Sequence, residues 1–185
     1  MAKFPKVLKV DPLKLHAAIN LLFIGFKSEW ATVKDHQLYV GGLGKAWTTP
    51  TGELVNYHPQ YIKRISPSGE VSHIDWHLRY EALSKAAGIS SPGKLLVATS
   101  ENSSSCFADH CLGFAGYLIH ESACWSEVHK RWFFLPRRES RERYDDVLDE
   151  SRGSNLMLIA DEEFLDIKVS FQSSLQVISS YYSMI

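Results

Sequence analysis

A surplus of charge of either sign is missing from this sequence: 20 Lys and Arg stand against 21 Asp and Glu, a formal net charge of -1 over 185 residues. So even a balance excludes capture of nucleic acid or an anionic membrane surface by bulk charge, and any anionic ligand has to be held by a local cluster. Cysteine is scarce as well. Cys106, Cys111 and Cys124 are too few for a disulfide scaffold; Cys106 and Cys111 could close a small loop, and three unpaired thiols is the plainer reading. No apolar run reaches the length of a bilayer span, since Leu15–Phe26 carries His16 and Asn20 and falls well short of the ~20 residues required. The same stretch makes a poor signal peptide, because no small-residue cleavage site follows Ile24 before Gly25-Phe26-Lys27.

What is present suits a buried core: 45% of residues are hydrophobic and 12% aromatic. From Phe26 onward, short runs rich in aromatic and β-branched residues alternate with Gly, Pro and Asp. Trp30–Val33 and Gln37–Val40 flank the polar turn Lys34-Asp35-His36, and Tyr61–Ile65 and Glu70–Ile74 flank Ser66-Pro67-Ser68-Gly69. Tyr117–His120 with Arg131–Leu135, and Asn155–Ile159 with Leu165–Val169, make two further hairpins. One segment has helical spacing: Ile74, Leu78, Ala82, Leu83 and Ala86 share a face, with Asp75 as N-cap and Gly88 just past the end. About eight strands in successive hairpins with one short helix give an all-β fold, either a small barrel or part of a larger meander such as a propeller.

Glu29 and Glu121 are the residues of chemical interest. Each sits inside an apolar stretch, where a carboxylate is costly unless paired or bound to a metal, and carboxylate oxygens suit Ca2+. The plain alternative is an exposed carboxylate, or one paired with Lys27 or His120. Arg137 and Arg138 follow Pro136 at a strand end, and paired guanidiniums match phosphate oxygens; the charged run Glu139–Glu150 after them also fits a solvated ion-pair cluster. Gly41-Gly42-Leu43-Gly44-Lys45 lacks the spacing of a phosphate-binding P-loop and follows a hairpin, so its glycines are read as ending a strand. His73 and His77 lack a metal-site motif, and Trp30, Trp47, Trp76, Trp125 and Trp132 are read as core residues, any one of which could stack a nucleobase. The sequon Asn102-Ser103-Ser104 says nothing firm about compartment.

Four stretches carry a resemblance to a known family: Phe26–Trp30, Leu38–Thr49, Tyr117–Trp125 and Arg131–Arg138, continued by Glu142–Tyr144 and Gly153–Leu156. They resemble the calcium-activated nucleotidases, the soluble apyrases of animals and blood-feeding arthropods, over about two thirds of the chain (25–93 and 117–170). The resemblance implies a five-bladed β-propeller, of which this chain holds about two blades, with one Ca2+ in the central tunnel. It implies hydrolysis of nucleoside di- and triphosphates such as UDP and GDP to the monophosphate, with nucleotide as the partner and neither nucleic acid nor a membrane segment. A homodimer of the parent and a secretory or extracellular setting (ER or Golgi lumen, or secreted) also follow from it. By the same resemblance Glu29 and Glu121 match calcium-coordinating glutamates, and Arg137 and Arg138 are candidates for the substrate phosphate. A glutamate commonly stands in relatives where Ala46 is.

The resemblance also marks where the chain departs: an unrelated segment over 1–24, an insert over 94–116 and an unrelated tail over 171–185. Gly93-Lys94 and Val169-Ser170 can be encoded by splice-donor-like sequences, so the expectation is a retained intron at 94–116 and read-through at both ends. The alternative to the hydrolase is a catalytically inactive fragment or isoform that lacks most of the calcium ligands.

Overall fold

Local chemistry sets the strand ends. In the computed structural model, which describes residues 26–89 and 116–171, Asp35 and His36 both take positive φ (50° and 60°). That conformation closes a two-residue hairpin whose twist matches its strands, here β1 (Trp30–Lys34) and β2 (Gln37–Gly41). The insert expected over 94–116 lies, apart from Gly116, outside the described residues, as do the 1–24 segment, Cys106, Cys111, the sequon and all of the tail but Phe171.

A two-stranded arm, β3 (Trp47–Thr48) and β4 (Leu54–Asn56), follows β2, and a 3-10 turn over His58–Gln60 leads into β5 (Tyr61–Ile65) and β6 (Val71–Asp75). Helix α1 spans His77–Ala86; its first turn is tied by the Asp75 carboxylate, which accepts from His77 N at 2.8 Å, and Gly88 follows its end at φ 70°. The second half holds β7 (Tyr117–Ser126), β8 (Arg131–Ser140), a four-residue helix α2 (Asp146–Asp149), β9 (Leu156–Ala160) and β10 (Ile167–Phe171).

The eight longer strands form two open antiparallel sheets, ordered β1-β2-β5-β6 and β7-β8-β9-β10. Neither closes on itself, so the barrel among the sequence expectations is not formed by the described residues. Each sheet is a meander built from two of the predicted hairpins, and the sheets meet through their first strands, β1 and β7. The Thr32 hydroxyl accepts from Trp125 N at 3.0 Å, and Leu43 O accepts from His120 N at 2.8 Å, stitching the sheets at that seam.

Between the sheets lies one aromatic core. Trp30 from β1, Trp76 ahead of α1, and Trp132 and Phe134 from β8 meet Phe164 from the β9–β10 turn. The Trp76–Trp132 rings stand 5.0 Å apart, edge to face, and Trp30–Trp76 are 5.7 Å apart. Such pairs add to burial because ring edges and faces carry opposite partial charge. Trp125 is buried with them, but Trp47 on the two-stranded arm is exposed, a correction to its reading as core. The face of α1 also differs from expectation. Leu78 is exposed and Tyr80 and Leu83 are buried, because the helix presents the phenol and Leu83 one turn apart to the core. Among the described residues no helix is long and apolar enough to cross a membrane.

Candidate functional site

Pro136 sits in the middle of β8, where it cannot donate to a ladder, and the register responds. The pairing steps from Ile119↔Arg138 to His120↔Pro136, leaving Arg137 with no residue opposite it. It then steps from His120↔Pro136 to Ala123↔Phe134, so Glu121 and Ser122 together face one position on β8. Two bulges of opposite sense cancel, the strands run on in step, and the side chains between are re-aimed. Arg137 and Glu121 meet there: Arg137 Nη1 donates to both carboxylate oxygens, at 2.8 Å and 3.0 Å.

Glu29 stands on the other side of the seam, immediately before β1, where its N–H donates to Gly41 O at 2.9 Å. Its carboxylate is only 14% exposed, and Lys27 Nζ lies 2.9 Å from Oε1. The ammonium balances charge at an angle that makes no hydrogen bond, so Oε1 is buried without a hydrogen-bond partner. A sheltered carboxylate whose neighbour is an exposed ammonium is a donor that suits a hard cation such as calcium. Each candidate carboxylate is thus paired with one nearby cation, Lys27 (63% exposed) ahead of β1 for Glu29 and Arg137 (58% exposed) on β8 for Glu121. Among the described residues no group of three or more His, Cys, Asp or Glu side chains converges into a metal cage.

His120, next to Glu121, takes no part in that pairing. Its ring is buried against Tyr80 and Phe134, neither nitrogen has a hydrogen-bond partner, and burial pulls it down to about 3. It is a neutral packing group.

Arg138 is used differently from Arg137. It donates through Nη1 to Asp149 Oδ2, and the Tyr117 hydroxyl donates to Oδ1 of the same carboxylate at 2.6 Å. Asp149 is fully buried at the end of α2, whose start is capped by the Asp145 carboxylate accepting from Val147 N and Leu148 N, both at 3.0 Å. Arg152 donates to the Tyr117 hydroxyl at 2.9 Å and to Glu142 at 2.6 Å. Burial and the bond to Asp149 push the Tyr117 phenol up to about 12. Lys45 packs over the Tyr144 ring at 4.0 Å and donates to Thr48 Oγ1 at 2.8 Å; burial lowers it to about 8, with the Asp149 charge pulling back. This network, buried at Asp149 and Tyr117 and exposed at Glu142, runs through a charge-dense stretch that the sequence presents as a solvated ion-pair cluster. The signals that could have exposed it are the Asp145 cap ahead of Val147-Leu148 and the aromatic Tyr144 within the charge run.

The motifs now stand in a defined frame, and comparison with known proteins places the frame. A family model described as Apyrase matches residues 21–107 and 108–185. This chain belongs to the apyrase family. The chain is 50% identical over 145 residues to soluble calcium-activated nucleotidase 1 of Rattus norvegicus, covering 78% of this chain and 30% of that protein. Apyrase apy-1 of Caenorhabditis elegans is 44% identical over 145 residues (78% of this chain, 34% of that protein), and an apyrase of Cimex lectularius is 39% identical over 140 residues (76% and 32%). The apyrase chain described here therefore spans about a third of the length of these relatives.

Proposed function

We propose that this chain carries part of a calcium-dependent hydrolase of nucleoside di- and triphosphates, with UDP and GDP as substrates and the monophosphate as product. The observation that carries the reading is two sheltered carboxylates at the β1–β7 seam: Glu29, just before β1 with Lys27 at its Oε1, and Glu121, on β7 within the double bulge with Arg137. Two four-stranded meanders joined through their first strands suit two blades of a five-bladed propeller, with the seam toward the tunnel. Relatives are named calcium-activated nucleotidases and apyrases, which supports the same chemistry.

In this reading Glu29 and Glu121 hold Ca2+, which when bound offsets charge on the phosphate oxygens and orders the groups around them. Arg137, exposed and fork-shaped, reaches the outer phosphate oxygens. Arg138, committed to Asp149, fixes the strand that carries Arg137 and so acts on phosphate through its neighbour. No side-chain nucleophile is invoked; water attacks in line, and the protein supplies position and charge. The division into an N-terminal segment over 1–24, blades over 25–93 and 117–170, an insert over 94–116 and a tail over 171–185 belongs to the same proposal, as do a secretory or extracellular setting and a homodimeric parent.

The second reading is a catalytically inactive fragment or isoform that lacks most of the calcium ligands: two carboxylates offer at most four of the ~6–8 oxygens calcium takes, so the rest of the shell must come from other groups. Phosphate release from UDP separates the two. Release that requires calcium and is lost in Glu121→Gln supports the hydrolase; no release, or release indifferent to a chelator, supports the inactive fragment.

A further inference from the structure

Both candidate ligands of the seam are already engaged, each by a cation anchored beside it and open to solvent. We propose that Arg137 and Lys27 are displaceable counter-cations that occupy Glu121 and Glu29 when no metal is bound and so set the affinity of the seam for a divalent cation. The inference rests on the reading of Glu29 and Glu121 as calcium ligands.

The geometry distinguishes these two pairs from the other salt bridges among the described residues. Arg138 is bound to a fully buried carboxylate, and Lys34 is itself buried while pairing with Asp35 and Glu162 at the far end of β1. In the seam pairs the order is reversed: the carboxylates are the sheltered partners, 14% and 26% exposed, and the cations are more than half exposed. A sheltered carboxylate pays for desolvation in either state, whereas an exposed Lys or Arg regains water when it lets go, so exchange of partner is cheap on the cation's side. Arg137 is 58% exposed and its side-chain hydrogen bonds among the described residues are those to Glu121, so release leaves the guanidinium to solvent. Once released, it remains within the same bulge with its donors turned to solvent and open to an anion. Metal binding and anion binding are thereby coupled through one side chain.

Because an exposed pair is worth at most about 1 kcal/mol, removing the competitor tightens metal binding by roughly two- to five-fold per site. The test is titration of the full chain with Tb3+, a calcium surrogate whose emission is sensitised by Trp30 next to Glu29, followed by displacement with calcium. Arg137→Gln and Lys27→Gln each bind two- to five-fold tighter than the unsubstituted chain. Arg137→Lys, which keeps the charge, stays at the starting affinity, and Lys168→Gln on the outer strand β10 controls for net charge. Equal or weaker binding by both glutamine variants overturns the inference, as does equal tightening by Lys168→Gln. Absence of sensitised binding by the unsubstituted chain overturns the calcium reading itself, a different outcome from binding that ignores Arg137 and Lys27.

Discussion

Arg137 and Arg138 are adjacent in sequence and opposite in energetics. Arg138 neutralises a fully buried carboxylate, so Arg138→Met strands the Asp149 charge and is expected to cost about 3 kcal/mol. Arg137 pairs at the surface, and Arg137→Met is expected to change stability by less than about 1 kcal/mol. Urea denaturation of the two variants checks the contrast; equal losses would contradict it. Lys45 and Tyr117 make stability depend on pH in opposite directions. The folded Lys45 holds its proton less tightly than the free side chain (about 8 against 10.5), so the penalty for its buried charge is complete below pH 8 and lifts as pH rises toward 10.5. Tyr117 is shifted the other way, to about 12 from 10.0; its stabilisation is complete below pH 10 and is lost as pH rises through 12. Stability measured by denaturant titration should therefore climb from pH 8 to about 10 and fall beyond it, with Lys45→Met flattening the climb.

At the scale of elements, the segment after β2 is set by steric need. A Cβ on Gly41 would fall 2.0 Å from the Trp30 indole, and Gly44 has φ 73° with Tyr80 and His120 within 2.7 Å of where its Cβ would stand. Gly44→Ala is expected to cost about 3 kcal/mol, from left-handed strain and overpacking together, read as a lowered urea midpoint. The glycines that superficially suggest a phosphate loop are thus accounted for by close packing. The succession of four hairpins was legible in sequence because turn residues and strand alternation are local signals, but Tyr117–His120 pair with Pro136–Ser140 rather than with Arg131–Leu135, and Lys34 belongs to β1 with only Asp35 and His36 in the turn. The β3–β4 arm was not legible, being only two and three residues long with Trp47, Leu54 and Val55 exposed. Nor was α2 visible, since the partner that makes Asp149 buried, Tyr117, lies 32 residues away. The sequence reading ends the strand at Pro136, whereas β8 runs on to Ser140; the proline breaks the register rather than the strand, and which side chains it turns toward each other is not a local signal. Likewise the helical spacing located α1 while misassigning Leu78 to its buried face, because Tyr80 is as apolar in packing as it is polar at its tip.

For the whole molecule, the two sheets share one aromatic core and should unfold as one unit. Trp132 contacts Trp30, Trp76, Trp125, Phe134 and Phe164, so Trp132→Ala is expected to cost about 4 kcal/mol and to lower the near-ultraviolet and far-ultraviolet circular dichroism transitions together. Separate transitions would mean that the sheets are independent. That both carboxylates are sheltered was legible in sequence as charge in apolar surroundings. Their counter-cations were half legible: Lys27 is two residues from Glu29, whereas Arg137 reaches Glu121 only through the paired bulges. The central claim is that Glu29 and Glu121 hold calcium at the seam of the two sheets, and thermal unfolding with and without the ion tests it most directly. At a hundredfold excess over the dissociation constant, calcium should raise the melting temperature of the unsubstituted chain by roughly 5–10 °C, and the Glu29→Gln/Glu121→Gln double variant should show no rise. An equal rise in both chains would place the ion elsewhere and contradict the account.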